Sequence, residues 1–179
     1  MTNAETHQLL TDLLEPWKVV IGSDFQGYSN HCHRMVTFCL ALRHCTDEER
    51  QKVAIAACFH DIGLWTAKTM DYLPPSVPPA MECLKARGLQ HWAEEVSLLI
   101  TEHHKLRPYT DARYPLVEAF RQADLVDFSL GIFKFRLSSN EVREVKARYP
   151  NAGFHKMLVR MALSWFARNP FNPAPMMKW

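Results

Sequence analysis

His60 and Asp61 stand side by side at the end of an apolar run, Ala54 to Gly63 (AIAACFHDIG), which stops at a glycine. Burying both polar groups without a partner costs on the order of several kcal/mol. Imidazole nitrogen and carboxylate oxygen both ligate divalent cations, so a metal ion is one partner that would offset that cost. Three other stretches carry ligand-type residues beside an apolar stripe. From Tyr28 onward, Tyr28, Cys32, Met35, Cys39 and Leu42 recur at steps of three and four, which puts His31 on the border of the stripe and leaves His33 further round. From Gln90 to His104 the face bearing Trp92, Val96, Leu99 and Ile100 also bears His103, flanked by His104. Between Tyr114 and Leu130, Val117, Phe120, Asp124 and Phe128 share one stripe. Asp124 is thus a carboxylate on a core face, where an unpaired charge is prohibitively costly.

Any one of these residues, taken singly, reads as a core side chain with a hydrogen-bond partner. Taken jointly they would need a separate compensation on every helix, whereas one cation satisfies His31, His60 with Asp61, His103 and Asp124 together.

The elements that must position them are helices. Thr2 to Trp17 repeats leucines at helical spacing and meets Pro16, so a first helix ends near Leu14; residues 18–27, with two glycines, read as a connection. Thr46 with Glu49, and Ser138 with Glu141, are capping boxes that start the helix carrying His60 and a polar helix reaching Tyr149. Residues 64–79 hold four prolines in six positions and read as a long loop over the site, followed by a short helix from about Ala80 to Arg87 closed by Gly88. Asn151 to Asn169 forms a last amphipathic helix with Phe154, Leu158, Met161 and Trp165 inward, and the tail PFNPAPMMKW is irregular. No alternating period-two segment of useful length occurs. The expectation is one all-α domain over 1–179, a bundle of about eight helices with the ligand-bearing core at about 28–130 and C-terminal helices at 139–169.

Composition narrows the partners. Apolar residues make up 47% and charged residues 22%, ordinary for a chain that buries a core. A net charge of +2, with 21 scattered Lys and Arg, leaves no footprint for a long nucleic acid but allows a small anionic substrate. The five cysteines form no CxxC and lie in apolar helical patterns, which reads as reduced thiols of a cytoplasmic protein. Residues 1–20 show no export signal, and no apolar run approaches the roughly eighteen residues of a membrane span. Oligomeric state is left open by the sequence.

The ordered set Tyr28-Ser-Asn-His31-Cys-His-Arg34, Phe59-His60-Asp61-Ile62-Gly63 and Arg121-Gln-Ala-Asp124-Leu-Val-Asp127 resembles the HD-domain superfamily of helical metal-dependent phosphohydrolases, over roughly residues 28–130. The resemblance implies that His31, His60, Asp61 and Asp124 ligate one divalent ion, with Mn, Fe, Ni, Zn and Mg all compatible with such ligands. Some members hold two metals, and Ile100-Thr-Glu-His103-His104 resembles one of the added motifs, so a second ion would be held through His103 and His104. The other added histidine is missing from Tyr72-Leu-Pro-Pro-Ser-Val-Pro-Pro, and His91 is the only histidine between Asp61 and His103.

The implied activity is hydrolysis of a small phosphate ester or nucleotide by metal-activated water, which needs no side-chain nucleophile. No competing catalytic motif is present. Asp61 would ligate and also take the water's proton, and Arg34 and Arg121, each within a turn of a ligand, would neutralise phosphate. Lys68, Lys105 and Arg107, together with His103 and His104, are further substrate-contact candidates; the alternative for each of the three cations is a solvated surface charge. His33 and His44 read as surface or supporting residues, and Asp127 as a site member, an orienting group or a surface group. Two other functions stay open: a dinuclear iron oxygenase of the same fold, completed by His103 and His104, and a non-catalytic nucleotide-binding module.

Overall fold

The computed structural model describes residues 1–177; Lys178 and Trp179, the end of the tail, lie outside the described residues. Among the described residues the chain is helical with no strand, as its periodicity predicts. Its helices are α1 (Asn3–Leu14), α2 (Lys18–Ile21), α3 (Phe25–Leu42), α4 (Asp47–Phe59), α5 (Gly63–Thr66), α6 (Leu73–Ala86), α7 (Ala93–Glu102), α8 (Pro115–Phe128), α9 (Ser139–Arg148) and α10 (Phe154–Arg168). Of these, α2 and α5 are single turns of four residues, leaving eight longer helices among the described residues.

Both expected capping boxes form, at Thr46 with Glu49 and at Ser138 with Glu141, and a third starts α1 at Thr2 with Glu5. Each satisfies backbone N–H groups that a helix start leaves without partners. α3 runs through the centre against α8, α4 and α1, while α4 is enclosed by α1, α3, α6 and α7. Val53 to Phe59 are accordingly all 3% exposed or less, which explains why that stretch is apolar all round. One continuous core joins α1, α3, α4, α7 and α8, and a smaller cluster around Leu64, Met70, Tyr72 and Leu73 lies beneath α10.

Three expectations fail locally. Residues 18–27 are not an open connection: helical turns continue to α3, which starts at Phe25 rather than Tyr28. Trp17, Ile21 and Phe25, spaced by four, keep contact with the core there, and Gly22, at φ +64°, takes the single break. Residues 64–79 are not one long loop, because α6 begins at Leu73 and contains all four prolines. Pro74 and Pro75 occupy the first turn, whose N–H groups have no intrahelical acceptor in any case; Pro78 and Pro79 each forgo a hydrogen bond, and burial of Leu73, Ser76, Ala80 and Leu84 offsets it. On α8, Phe128 is not core but half exposed, and on α10 Phe154 and Met157 are buried while Leu158, Met161 and Trp165 are only partly covered.

The glycine after His60 and Asp61 has a packing reason. A Cβ on Gly63 would collide with the Tyr72 carbonyl oxygen, and the Gly63 N–H donates to Ser76 Oγ at 2.9 Å. The start of α6 thus sits directly on the turn that carries His60 and Asp61.

Candidate metal centre

Four segments converge. His31 comes from the middle of α3, His60 and Asp61 directly follow α4, His103 and His104 directly follow α7, and Asp124 and Asp127 lie on α8. Two helix C-termini, those of α4 and α7, therefore end at the cluster, and their partial negative charge favours a cation there. His31, His60, Asp61, His103, Asp124 and Asp127 are each 4% exposed or less.

Hydrogen bonds assign the ring tautomers. His31 Nδ1–H donates to Asp127 Oδ2 at 2.7 Å, His60 Nδ1–H to the Ala57 carbonyl at 2.9 Å, and His103 Nδ1–H to the Ile100 carbonyl at 2.7 Å. In the neutral ring each Nε2 is then a bare lone pair, and all three point at the carboxylates. His60 Nε2 lies 3.2 Å from Asp61 Oδ2 and His103 Nε2 lies 3.4 Å from Asp61 Oδ1. His31 Nε2 lies 3.7 Å from Asp124 Oδ1 and 3.9 Å from Asp61 Oδ2. Asp61 belongs to two ligand groups, with Oδ2 toward His31 and His60 and Oδ1 toward His103, which is grouped with His104.

These residues fit a cation on their own chemistry. Asp61 Oδ1 and His103 Nε2 are buried without a hydrogen-bond partner, and His31 Nε2 meets His60 Nε2 at 3.0 Å, lone pair to lone pair. A positive charge between them removes both problems. Burial opposes the His60 imidazolium, but Asp61 beside it more than offsets that and raises its pKa above the ordinary value.

The two carboxylates differ. Burial alone would raise Asp61, yet His60 and His103 hold it well below the usual carboxylate range. His60 and His103 thus favour the ionised form that ligation requires. Burial does raise Asp124, with His103, His31 and His60 opposing.

The cations expected to meet phosphate are engaged elsewhere. Arg34 is 2% exposed; its Nε and Nη2 form a bidentate pair with Asp127 at 2.5 and 2.8 Å, and its Nη1 donates to the carbonyls of Tyr149 and Pro150. Four of its five N–H donors are taken within the protein and the side chain is almost fully buried, which holds it in the core rather than at a substrate. Asp127 is thereby an orienting group: His31 and Arg34 overcome the effect of burial and keep its carboxyl ionised well below the usual range. Arg121 pairs with Glu118 at 2.7 Å through two donors and reaches the Lys105 carbonyl at 3.1 Å. With Lys105 it borders a small cavity of about 80 Å³ behind His103 and His104. Lys105 pairs with Glu102 at 3.4 Å, while Lys68 and Arg107 are exposed on loops.

Beside His103, His104 turns differently. The Tyr72 hydroxyl bonds its Nε2, and its Nδ1 faces Asp124 Oδ2 at 3.5 Å. Tyr72 escaped the sequence reading because nothing in Asp-Tyr-Leu-Pro-Pro marks a site residue. Phe154 was expected inward, but not stacked on the His31 ring at 4.2 Å. His33 is buried against His7 of α1 rather than near the centre, and His44 is exposed. All five cysteines are unpaired. A cavity of about 160 Å³ opens onto His31, Asp61 and Asp124.

No protein-family model, curated protein or solved structure matches this chain. Among the described residues no helix is long and apolar enough to cross a membrane.

Proposed function

We propose that this chain is a divalent-metal-dependent hydrolase of a small phosphate ester, working as the HD-type enzymes it resembles. One observation carries the reading: three buried imidazoles, each with its Nδ1–H committed, present Nε2 lone pairs to two buried carboxylates. His31, His60, Asp61 and Asp124 would hold one ion, and the other Asp61 oxygen with His103 and His104 a second. When bound, a divalent cation supplies a Lewis acid for a phosphoryl oxygen and a water of lowered pKa. In the reaction the water oxygen bonds to phosphorus, the P–O bond to the alcohol breaks, and a proton passes to the leaving oxygen. Asp127, buttressed by Arg34, sets the His31 ring, and Phe154 and the walls around it keep bulk water from the reacting atoms.

Elemental analysis of the purified chain and a phosphate-ester screen test this. Stoichiometric metal together with ester hydrolysis is expected, and His60→Ala should lose both. Unchanged metal content in that variant would remove the proposal. A second reading, a dinuclear iron oxygenase, draws support from the two faces of Asp61. Two irons per chain with substrate-dependent oxygen uptake would select it.

A further inference from the structure

The geometry points to a substrate whose organic part is small and apolar, a short alkyl chain or a single ring, rather than a nucleotide or a sugar. The cavity facing the ligands holds about 160 Å³. That is close to the roughly 150 Å³ of an engineered cavity, lined by Leu, Ile and Phe, that takes up one benzene. A base with its ribose exceeds the space that one ring fills, so part of it would stand outside the cavity.

The walls agree with the size. Met70 comes from the connection after α5, Phe128 from the end of α8, Phe154, Leu158 and Ala162 from successive turns of α10, and Met176 from the tail. The residues spaced by four put one apolar stripe of α10 over the centre. Polar side chains border the cavity at one end only: His31, Asp61, His104, Asp124 and Tyr72, whose hydroxyl is engaged with His104. Among the described residues no Lys, Arg, Ser, Thr, Asn or Gln lines it. Ribose hydroxyls or base edges placed here would leave water without gaining a partner, which rejects them. Additional phosphates would fare no better, because Arg34 and Arg121 are held by Asp127 and Glu118. Among the described residues the cavity is thus one-ended, with room for a charged group at the ligands and carbon elsewhere.

This inference rests on the hydrolase reading only for the identity of the charged group. Calorimetric titration of the full chain, loaded with manganese, against methyl-, ethyl-, propyl-, butyl- and phenylphosphonate tests it, with adenosine monophosphate and glycerol phosphate as polar comparators. Each buried methylene tightens binding about fourfold, so butylphosphonate should bind roughly 60-fold more tightly than methylphosphonate. Both comparators should bind more weakly than butylphosphonate. Ala162→Leu, which fills the cavity, should flatten the chain-length series while leaving metal stoichiometry unchanged. A flat series in the wild type, or a comparator that binds as tightly as butylphosphonate, overturns the proposal. A chain-length gain without turnover of any phosphate ester keeps the apolar substrate class and removes the hydrolase. Turnover of either comparator ahead of butyl phosphate does the reverse.

Discussion

Helix α3 carries two buried histidines two residues apart, and they meet other imidazoles in opposite ways. On one side His33 Nδ1 lies 2.8 Å from His7 Nδ1, with hydroxyls of Thr11 and Thr37 beside the remaining nitrogens and Tyr149 stacked on the His33 ring. One ring donates and the other accepts, so the contact between the rings is a hydrogen bond that needs no ion. On the other side His31 meets His60, but Asp127 and the Ala57 carbonyl have already taken both Nδ1–H groups. Two bare lone pairs are left facing each other, with carboxylates alongside. What separates a core histidine from a candidate ligand is therefore the partner of its other nitrogen.

The largest test of that contrast is paired. His60→Ala should lower metal affinity by more than about 100-fold, beyond the range for orienting partners, whereas His33→Asn should leave metal content unchanged by elemental analysis. Equal loss in the two variants would erase the distinction. Asp127→Asn retains the shape beside His31 but weakens the acceptor, and metal titration should show an affinity lower by about 10- to 100-fold.

The His7–His33 side is sensitive to pH instead. Burial, helped by the His7 charge, lowers the His33 pKa from 6.5 to about 4. The folded state thus binds the proton less well than the unfolded chain does. Its stability contribution is complete above pH 6.5, falls as pH drops toward 4 and levels off below that. Denaturant titration across this window should show a loss on the order of 2 kcal/mol, discounted for partial exposure, and His33→Phe should flatten it. An unaltered slope in the variant would place the acid sensitivity elsewhere. The smallest effect belongs to Tyr72→Phe, which releases His104 Nε2 from its hydroxyl partner. Losing one competing hydrogen bond worth about 1 kcal/mol should tighten a second metal by about fivefold, read as the weaker step of a two-metal titration.

Local periodicity determined much of this protein. Steps of three and four predict the all-helical fold, capping boxes mark where α4 and α9 begin, and the inward sides of His31, His103 and Asp124 follow from the stripes they share. Those signals depend on neighbours within a turn or two, so they are written along the chain. Only the tertiary structure decided the rest. Arg34 and Asp127 meet across 93 residues and His31 and Asp127 across 96, so the same carboxylate that holds Arg34 in the core also fixes the His31 ring. The prolines of α6 are helical because a buried face outweighs their two lost hydrogen bonds, a balance that no local rule contains. Likewise, whether a buried imidazole offers a lone pair depends on which distant group accepts its N–H, and only the packed helices settle that.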